Sequence, residues 1–230
     1  MSLSKILTKL FEKFPEIPIK NKIRYFLAFN KLVPESISDL SPVKGYDLHY
    51  KLKKGDVVLD VGAFTGDYTV FAAKRVGKSG KVIALEPDVK NRKILIRNLK
   101  HEKLFNVVVL PLGLWSTSRF MEANSDGLHS SIQNKGQNKI KVISMDDLIK
   151  RLKLQKLDFV KMDIEGAEIE AIKGSVNTLK KFHPAIAIAS YHLVNGKPTS
   201  IFLEKFISDI GYKVQSGFPK HQTTYAQSIF

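Results

Sequence analysis

From Tyr46 onward, short apolar runs alternate with amphipathic stretches of helical period. Strand-like runs lie at Val57–Val61, Val82–Leu85, Val107–Leu110, Leu157–Met162 and Ala185–Ala189. A helix is expected to begin near Gly66, and the stretch 89–100 sets Ile94, Leu95 and Leu99 on one face. After Met162 the positions Ile169, Ile172, Val176 and Leu179 predict one further helix, and Leu203, Phe206, Ile207 and Ile210 predict another. The runs 57–61 and 185–189 are almost wholly apolar, as strands covered on both faces are. Such alternation predicts an α/β fold built on a doubly wound, mostly parallel sheet. Tyr212–Gln215 and Thr223–Phe230 read as a closing antiparallel hairpin that turns near Gly217 and Pro219. The polar stretch 116–145, with a strand at Lys139–Ser144, reads as an insertion over one end of the sheet.

Residues 1–45 follow a different pattern and are expected to form an N-terminal helical extension to a single domain, 46–230. Leu3, Ile6, Leu7, Leu10, Phe11 and Phe14 keep helical spacing until Pro15, with Lys5, Lys9 and Lys13 on the polar side. Helix 3–14 is expected to pack over the sheet or on a second subunit. Its pattern also permits peripheral contact with an anionic membrane surface. Lys5 and Lys9 interrupt the first apolar run, against a secretory signal, and no run approaches the ~20 residues that span a bilayer. The expected location is cytoplasmic, with the inner membrane face as the peripheral variant. Oligomeric state is not legible.

The chain has 230 residues, is 43% hydrophobic, and contains no cysteine. That excludes disulfide scaffolds, cysteine-ligated metals, Fe–S clusters and thiol nucleophiles. The net charge of +15 first suggests nucleic acid, yet 31 of the 37 basic residues are lysines scattered through every segment. No basic face interleaved with aromatic residues appears, so a shaped phosphate-reading groove is not indicated.

Candidate chemistry begins in VVLDVGAFTGDYT, residues 57–69. Asp60 ends the strand, and Gly62 and Gly66 bracket a tight turn, containing Ala63, Phe64 and Thr65, into a helix. Glycines serve where φ is positive or a ligand approaches the backbone, and the helix N-terminus offers free N–H groups. Glu86, followed by Pro87, stands at the end of the next strand, where a carboxylate can accept both ribose hydroxyls of an adenosine. A dinucleotide would need glycine in the middle of the loop, where Ala63-Phe64-Thr65 stands instead. The P-loop pattern is absent, since Asp67 and Tyr68 follow Gly66. An acid at position 60 suits an ammonium or sulfonium, so S-adenosylmethionine fits best.

A second cluster follows the fourth and fifth strands. Asp163 and Glu165 come after Met162, and His192 lies just past Ala189, so all three are expected at the carboxyl ends of neighbouring strands. A reaction that draws a proton from an acceptor needs a base, and Asp163 or His192 could serve as one. Alternatively, Asp163, Glu165 and His192 could ligate Mg²⁺ or Mn²⁺. Glu168 and Glu170 read as ordinary first-turn acids of a helix.

Together VVLDVGAFTGDYT, VIALEPD, VVVLPLGLWS, VISMDDLI and VKMDIEGAEIEAIKG resemble the FkbM family of S-adenosylmethionine-dependent methyltransferases. The resemblance spans about Lys54 to Ala189 and is most specific at Lys161–Glu168. It implies a Rossmann-like class I methyltransferase fold with a seven-stranded sheet, and methylation of hydroxyl oxygens on sugars, glycans or small molecules. It also implies Asp60, Gly62, Ala63 and Gly66 at the methionine end, Glu86 at the ribose and the Leu112-Gly113 backbone at the adenine edge. Three other functions remain open: an RNA methyltransferase, a membrane-surface enzyme acting on a lipid-linked glycan, and a non-catalytic cofactor-binding module. Against base methylation, Asp163-Ile164-Glu165-Gly166 stands where an Asn/Asp-Pro-Pro-aromatic run would be expected.

Overall fold

In a computed structural model of the chain, residues 45–125, 130–132, 138–217 and 222–229 are described. Helix 3–14 of the sequence reading lies outside these residues. The central sheet contains β1 (Val57–Val61), β2 (Lys81–Leu85), β3 (Val107–Leu110), β8 (Phe159–Met162), β9 (Ala185–Ala189), β12 (Tyr212–Gly217) and β13 (Thr223–Ser228). Its order is β12-β13-β9-β8-β1-β2-β3. All neighbours run parallel except β13, which is antiparallel to both β9 and β12. This is the expected doubly wound sheet with its closing hairpin. From β1 the chain winds outward through β2 and β3, then resumes on the other side of β1 with β8. The crevice beyond the carboxyl ends of β1 and β8 is therefore the switch point at which such sheets bind ligands.

Residues alternate across the sheet, as the two-residue period of a strand requires. Leu59, Val61, Ile83 and Leu85 face a core shared with Leu148, Ile172, Leu179 and Leu203. Val58, Val82, Phe159, Ala185 and Ala187 face the opposite core with Ala72, Val76 and Tyr46. The helices involved are α1 (Asp67–Val76), α2 (Val89–His101), α3 (Met145–Leu152), α4 (Glu168–Lys173), α5 (Val176–Phe182) and α6 (Thr199–Asp209). Each fully buried Leu, Ile or Val contributes roughly 1.5–3 kcal/mol, which is why β1 is apolar on both faces except at Asp60.

Two regions depart from the sequence pattern. The helix expected after Met162 is split into α4 and α5 at Gly174-Ser175. A Cβ on Gly174 would lie 2.5 Å from the carbonyl oxygen of Trp115, so the chain turns there against a neighbouring strand end. The apolar period continues across the break because Ile172 and Leu179 enter the same core, which is why periodicity alone reads as one helix.

The polar stretch 116–145 holds more strand than the single run expected. It joins β4 (Gly113–Leu114), β5 (Arg119–Ser125), β6 (Ser130–Ile132) and β7 (Asn138–Ile143) in a second sheet of order β4-β7-β5-β6. Phe120 is 69% exposed while Met121 is buried, so β5 offers too few inward apolar residues to be conspicuous. Ser144, expected in the strand, instead caps α3 by accepting from the Asp147 N–H.

Candidate active site

The turn after β1 is shaped by contacts that only its residues permit. Gly62 has φ +76°, and a Cβ there would lie 1.9 Å from the carbonyl oxygen of Asp163. The glycine turn thus rests directly on the chain leaving β8, and both candidate clusters share one crevice. The N–H groups of Gly62 and Ala63 both donate to the Leu85 carbonyl, at 3.1 and 3.0 Å. Phe64 takes a positive φ of 51°. Thr65 is buried, and its carbonyl accepts from Asn98 Nδ2 at 2.8 Å. Gly66, φ +98°, stands at the N-cap of α1, where no side-chain hydrogen bond caps the helix.

Glu86 closes the far side of this turn. Its Oε2 accepts from the Phe64 N–H at 2.7 Å and its Oε1 from the Asp88 N–H at 2.9 Å. Burial pushes its carboxyl up to about 7, although these two backbone donors pull the other way. The Pro87 carbonyl is held by Arg92 Nη1 at 3.0 Å. Leu112 is half-buried and Gly113 opens β4; both follow β3, whose Leu110 carbonyl receives the Glu86 N–H at 3.1 Å.

Asp60 turns inward, beneath the loop. It is fully buried; Thr69 Oγ1 donates to its Oδ2 at 2.5 Å, and Lys161 Nζ lies 3.1 Å from its Oδ1. Lys161 also donates to the Gly62 carbonyl at 2.7 Å, with its ammonium over the rings of Tyr46 and Tyr68 at 5.5 and 5.9 Å. The motif Lys161–Glu168 by itself gives Lys161 no role. Its signal was a charge inside the apolar strand FVKM, which a buried strand tolerates only with a partner.

The second cluster forms where β8 and β9 end. The Asp163 N–H continues the ladder to the Val61 carbonyl at 3.0 Å, and Asp163 Oδ2 accepts from the Tyr46 hydroxyl at 2.9 Å. Glu165 (φ 56°) and Gly166 (φ +97°) then carry the chain through consecutive left-handed conformations. Glu168, with no exposed surface, stabilises this turn through Oε1, which accepts the N–H groups of Ile164 and Gly166 at 3.0 and 3.3 Å. The same oxygen lies 3.0 Å from His192 Nδ1. On the other edge of the ring, His192 Nε2 lies 3.4 Å from Glu165 Oε2 and 3.9 Å from Asp163 Oδ1. Asp163, Glu165 and His192 are therefore brought together.

Burial alone would depress the His192 pKa, but Glu165, Glu168 and Asp163 around the ring outweigh it and raise the pKa to about 10. With only these protein groups around it, the ring is an imidazolium at neutral pH, which suits an orienting role and not that of a base. The backbone of His192 is anchored too: its carbonyl receives the Thr199 N–H at 2.9 Å. Between them lies a small hairpin, β10 (Leu193–Val194) and β11 (Lys197–Pro198), turning through Asn195-Gly196 with φ of 51° and 73°. Asn-Gly is the strongest short hairpin signal, so this element has a sequence signature that the apolar periodicity does not carry. The position of Glu168 in a first helical turn suggests only a helix-dipole acid; its total burial gives it a larger structural role. Glu170 remains on the helix surface, paired with Ser116 and Lys173.

A family model of the methyltransferase FkbM domain matches residues 60–214, from the Asp60 turn through both clusters into β12. The chain belongs to the FkbM methyltransferase family. Members are S-adenosylmethionine-dependent methyltransferases, so that cofactor is the methyl donor of this enzyme class. Among curated proteins, a Saccharolobus solfataricus protein named "Probable cobalt-precorrin-6B C(15)-methyltransferase (decarboxylating)" is 34% identical over 104 residues, which are 45% of this chain and 43% of that one. The hexuronic acid methyltransferase AglP of Haloferax volcanii is 29% identical over 133 residues, 56% of this chain and 53% of that one. The chain thus spans about half the length of these curated relatives. A crystal structure of methyltransferase FkbM from Methylobacillus flagellatus KT superposes with a TM-score of 0.63 at 19% identity, covering 96% of this chain and 57% of that one; it bears on the fold alone. Among the described residues of this FkbM-family chain, no helix is long and apolar enough to cross a membrane.

Proposed function

We propose that this chain methylates an oxygen of a sugar or glycan acceptor, with S-adenosylmethionine as donor. The carrying observation is the contact between Gly62 and the Asp163 carbonyl, which sets a cofactor turn against a polar cluster suited to a hydroxyl. The cofactor supplies, when bound, an electrophilic methyl carbon on a cationic sulfur. The residues present suit it: the 62–66 turn leads to an uncapped helix N-terminus, and each Glu86 oxygen accepts one N–H and keeps a lone pair for a ribose hydroxyl. Ala63, Phe64, Thr65 and Pro87 shape this side, with the Leu112-Gly113 backbone beside it. Asp60 acts one layer below, holding the turn through Lys161.

At the acceptor end, Asp163 takes the proton of the attacking hydroxyl, because His192 already carries one at neutral pH and Tyr46 fixes the carboxylate. Glu165 and His192 orient the acceptor. A sugar acceptor is supported by the name of the Haloferax relative, a hexuronic acid methyltransferase. The lysine-rich surface adds attraction for anionic glycans. Nothing in the site favours RNA or a non-catalytic role.

The test joins calorimetry with S-adenosylhomocysteine to transfer of a radiolabelled methyl group to hexoses, hexuronic acids and glycans, with RNA as the comparison. Binding of S-adenosylhomocysteine, label in the carbohydrate and a dead but cofactor-binding Asp163→Asn variant are expected. No binding at high micromolar concentration overturns the enzyme reading, and label confined to RNA overturns the acceptor class.

A further inference from the structure

The acceptor end of the site carries more acid than proton transfer needs. Asp163, Glu165 and Glu168 place three carboxylates around one imidazole, a net negative cluster even when His192 is charged. Asp163, Glu165 and His192 each offer one ligand atom such that all three lie within 4.8 Å of one another. The separations of Nε2 from the two oxygens, 3.4 and 3.9 Å, are long for hydrogen bonds. They fall between the separations of donor atoms around one ion, since ligands at about 2.1 Å from a cation stand about 3 Å apart when adjacent and about 4.2 Å apart when opposite.

Two further observations point to a ligand there. The His192 side chain is only 10% exposed, yet Nε2 is buried without a well-aligned hydrogen bond, and Asp163 Oδ1 is likewise buried and accepts none. Behind the ring, Glu168 is wholly buried and locked by two backbone N–H groups, facing Nδ1 at 3.0 Å. A carboxylate facing Nδ1 favours the tautomer protonated there, so that a cation arriving in front displaces only the Nε2 proton of the imidazolium and takes up its lone pair, the arrangement that supports imidazoles bound to metals. Such an arrangement has little purpose for a histidine that only packs.

We propose that Asp163, Glu165 and His192 form a divalent-cation site, with Glu168 as the positioning residue that presents the imidazole to it. Two carboxylate oxygens and one imidazole nitrogen suit Mn²⁺, with Mg²⁺ as the harder competitor. The remaining coordination positions face the crevice, where they bind the oxygens of a polyhydroxyl or carboxyl-bearing acceptor. This also resolves a charge conflict, since an acidic pocket would otherwise repel an anionic sugar. The inference rests on the reading of this cluster as the acceptor end of the site.

The test uses the full chain, stripped with chelator, and Mn²⁺ titration followed by electron paramagnetic resonance. S-adenosylhomocysteine binding is measured separately by calorimetry. One Mn²⁺ per chain is expected, displaced by excess Mg²⁺ and lost in His192→Ala. Glu168→Gln should weaken Mn²⁺ about 10- to 100-fold while leaving the calorimetric titration unchanged. Because Glu168 is buried, the more exposed Glu165→Gln provides a second reading, and it should weaken Mn²⁺ at least about tenfold. A chain that binds S-adenosylhomocysteine but no Mn²⁺ overturns the site, as does Mn²⁺ affinity unchanged in Glu165→Gln. Mn²⁺ binding that depends on these residues, without S-adenosylhomocysteine binding, supports the site and overturns the methyl-transfer reading instead.

Discussion

The phenol of Tyr46 donates a 2.9 Å hydrogen bond to Oδ2 of Asp163, a residue 117 positions further along the chain. Burial, first, and the Asp163 charge, second, hold that phenol protonated well above its ordinary range. Tyr46 is therefore a fixed donor that orients the carboxylate, and it does not serve as a base. Tyr46→Phe is expected to lower kcat about 10- to 100-fold, the worth of one hydrogen bond to a charged group. Affinity for S-adenosylhomocysteine should stay unchanged. Steady-state kinetics beside calorimetry checks this, and an unaltered kcat would reduce Tyr46 to packing.

Lys161 and Asp60 form an ion pair whose side chains are 6% and 0% exposed. Removing one partner leaves the other charge buried and uncompensated. Lys161→Met should destabilise the fold by about 3–5 kcal/mol, measured by denaturant unfolding. The double variant Asp60→Asn with Lys161→Met should recover part of that loss, because no lone charge remains. If the double variant is as unstable as the sum of the two single variants, the pairing does not operate as described.

Glu86 should impose a pH dependence on cofactor binding. Its folded-state pKa is raised to about 7, chiefly by burial, so without ligand its stabilising share is complete below the ordinary carboxyl range and is lost as pH rises through 7. Ribose hydroxyls donate to the ionised carboxylate, so binding runs the opposite way. Affinity for S-adenosylhomocysteine should fall below pH 7 by up to about tenfold per pH unit. Glu86→Gln should bind more weakly and show a flat profile between pH 5 and 8. A wild-type profile equally flat across that range would remove Glu86 from the ribose.

Which of these relationships the sequence reveals depends on how local their causes are. The glycine turn at 62–66 and Glu86 were legible because each is fixed by its own strand end and a short motif. Asp163, Glu165 and His192 were legible as neighbours because the ends of adjacent parallel strands must meet. Their burial and partners were not. Glu168 looks like any first-turn acid until β9 delivers His192 against it. Lys161 is one more lysine among 31 until β1 places Asp60 opposite.

Periodicity and turn chemistry therefore determined the doubly wound sheet and the family, since both are written within a few residues of each other. The tertiary structure alone decided that Asp60 faces Lys161, that α4 and α5 part at Gly174, and that Tyr46 reaches Asp163. Those contacts join strands and segments brought together by crossover connections, and their energies depend on burial, which no local pattern records.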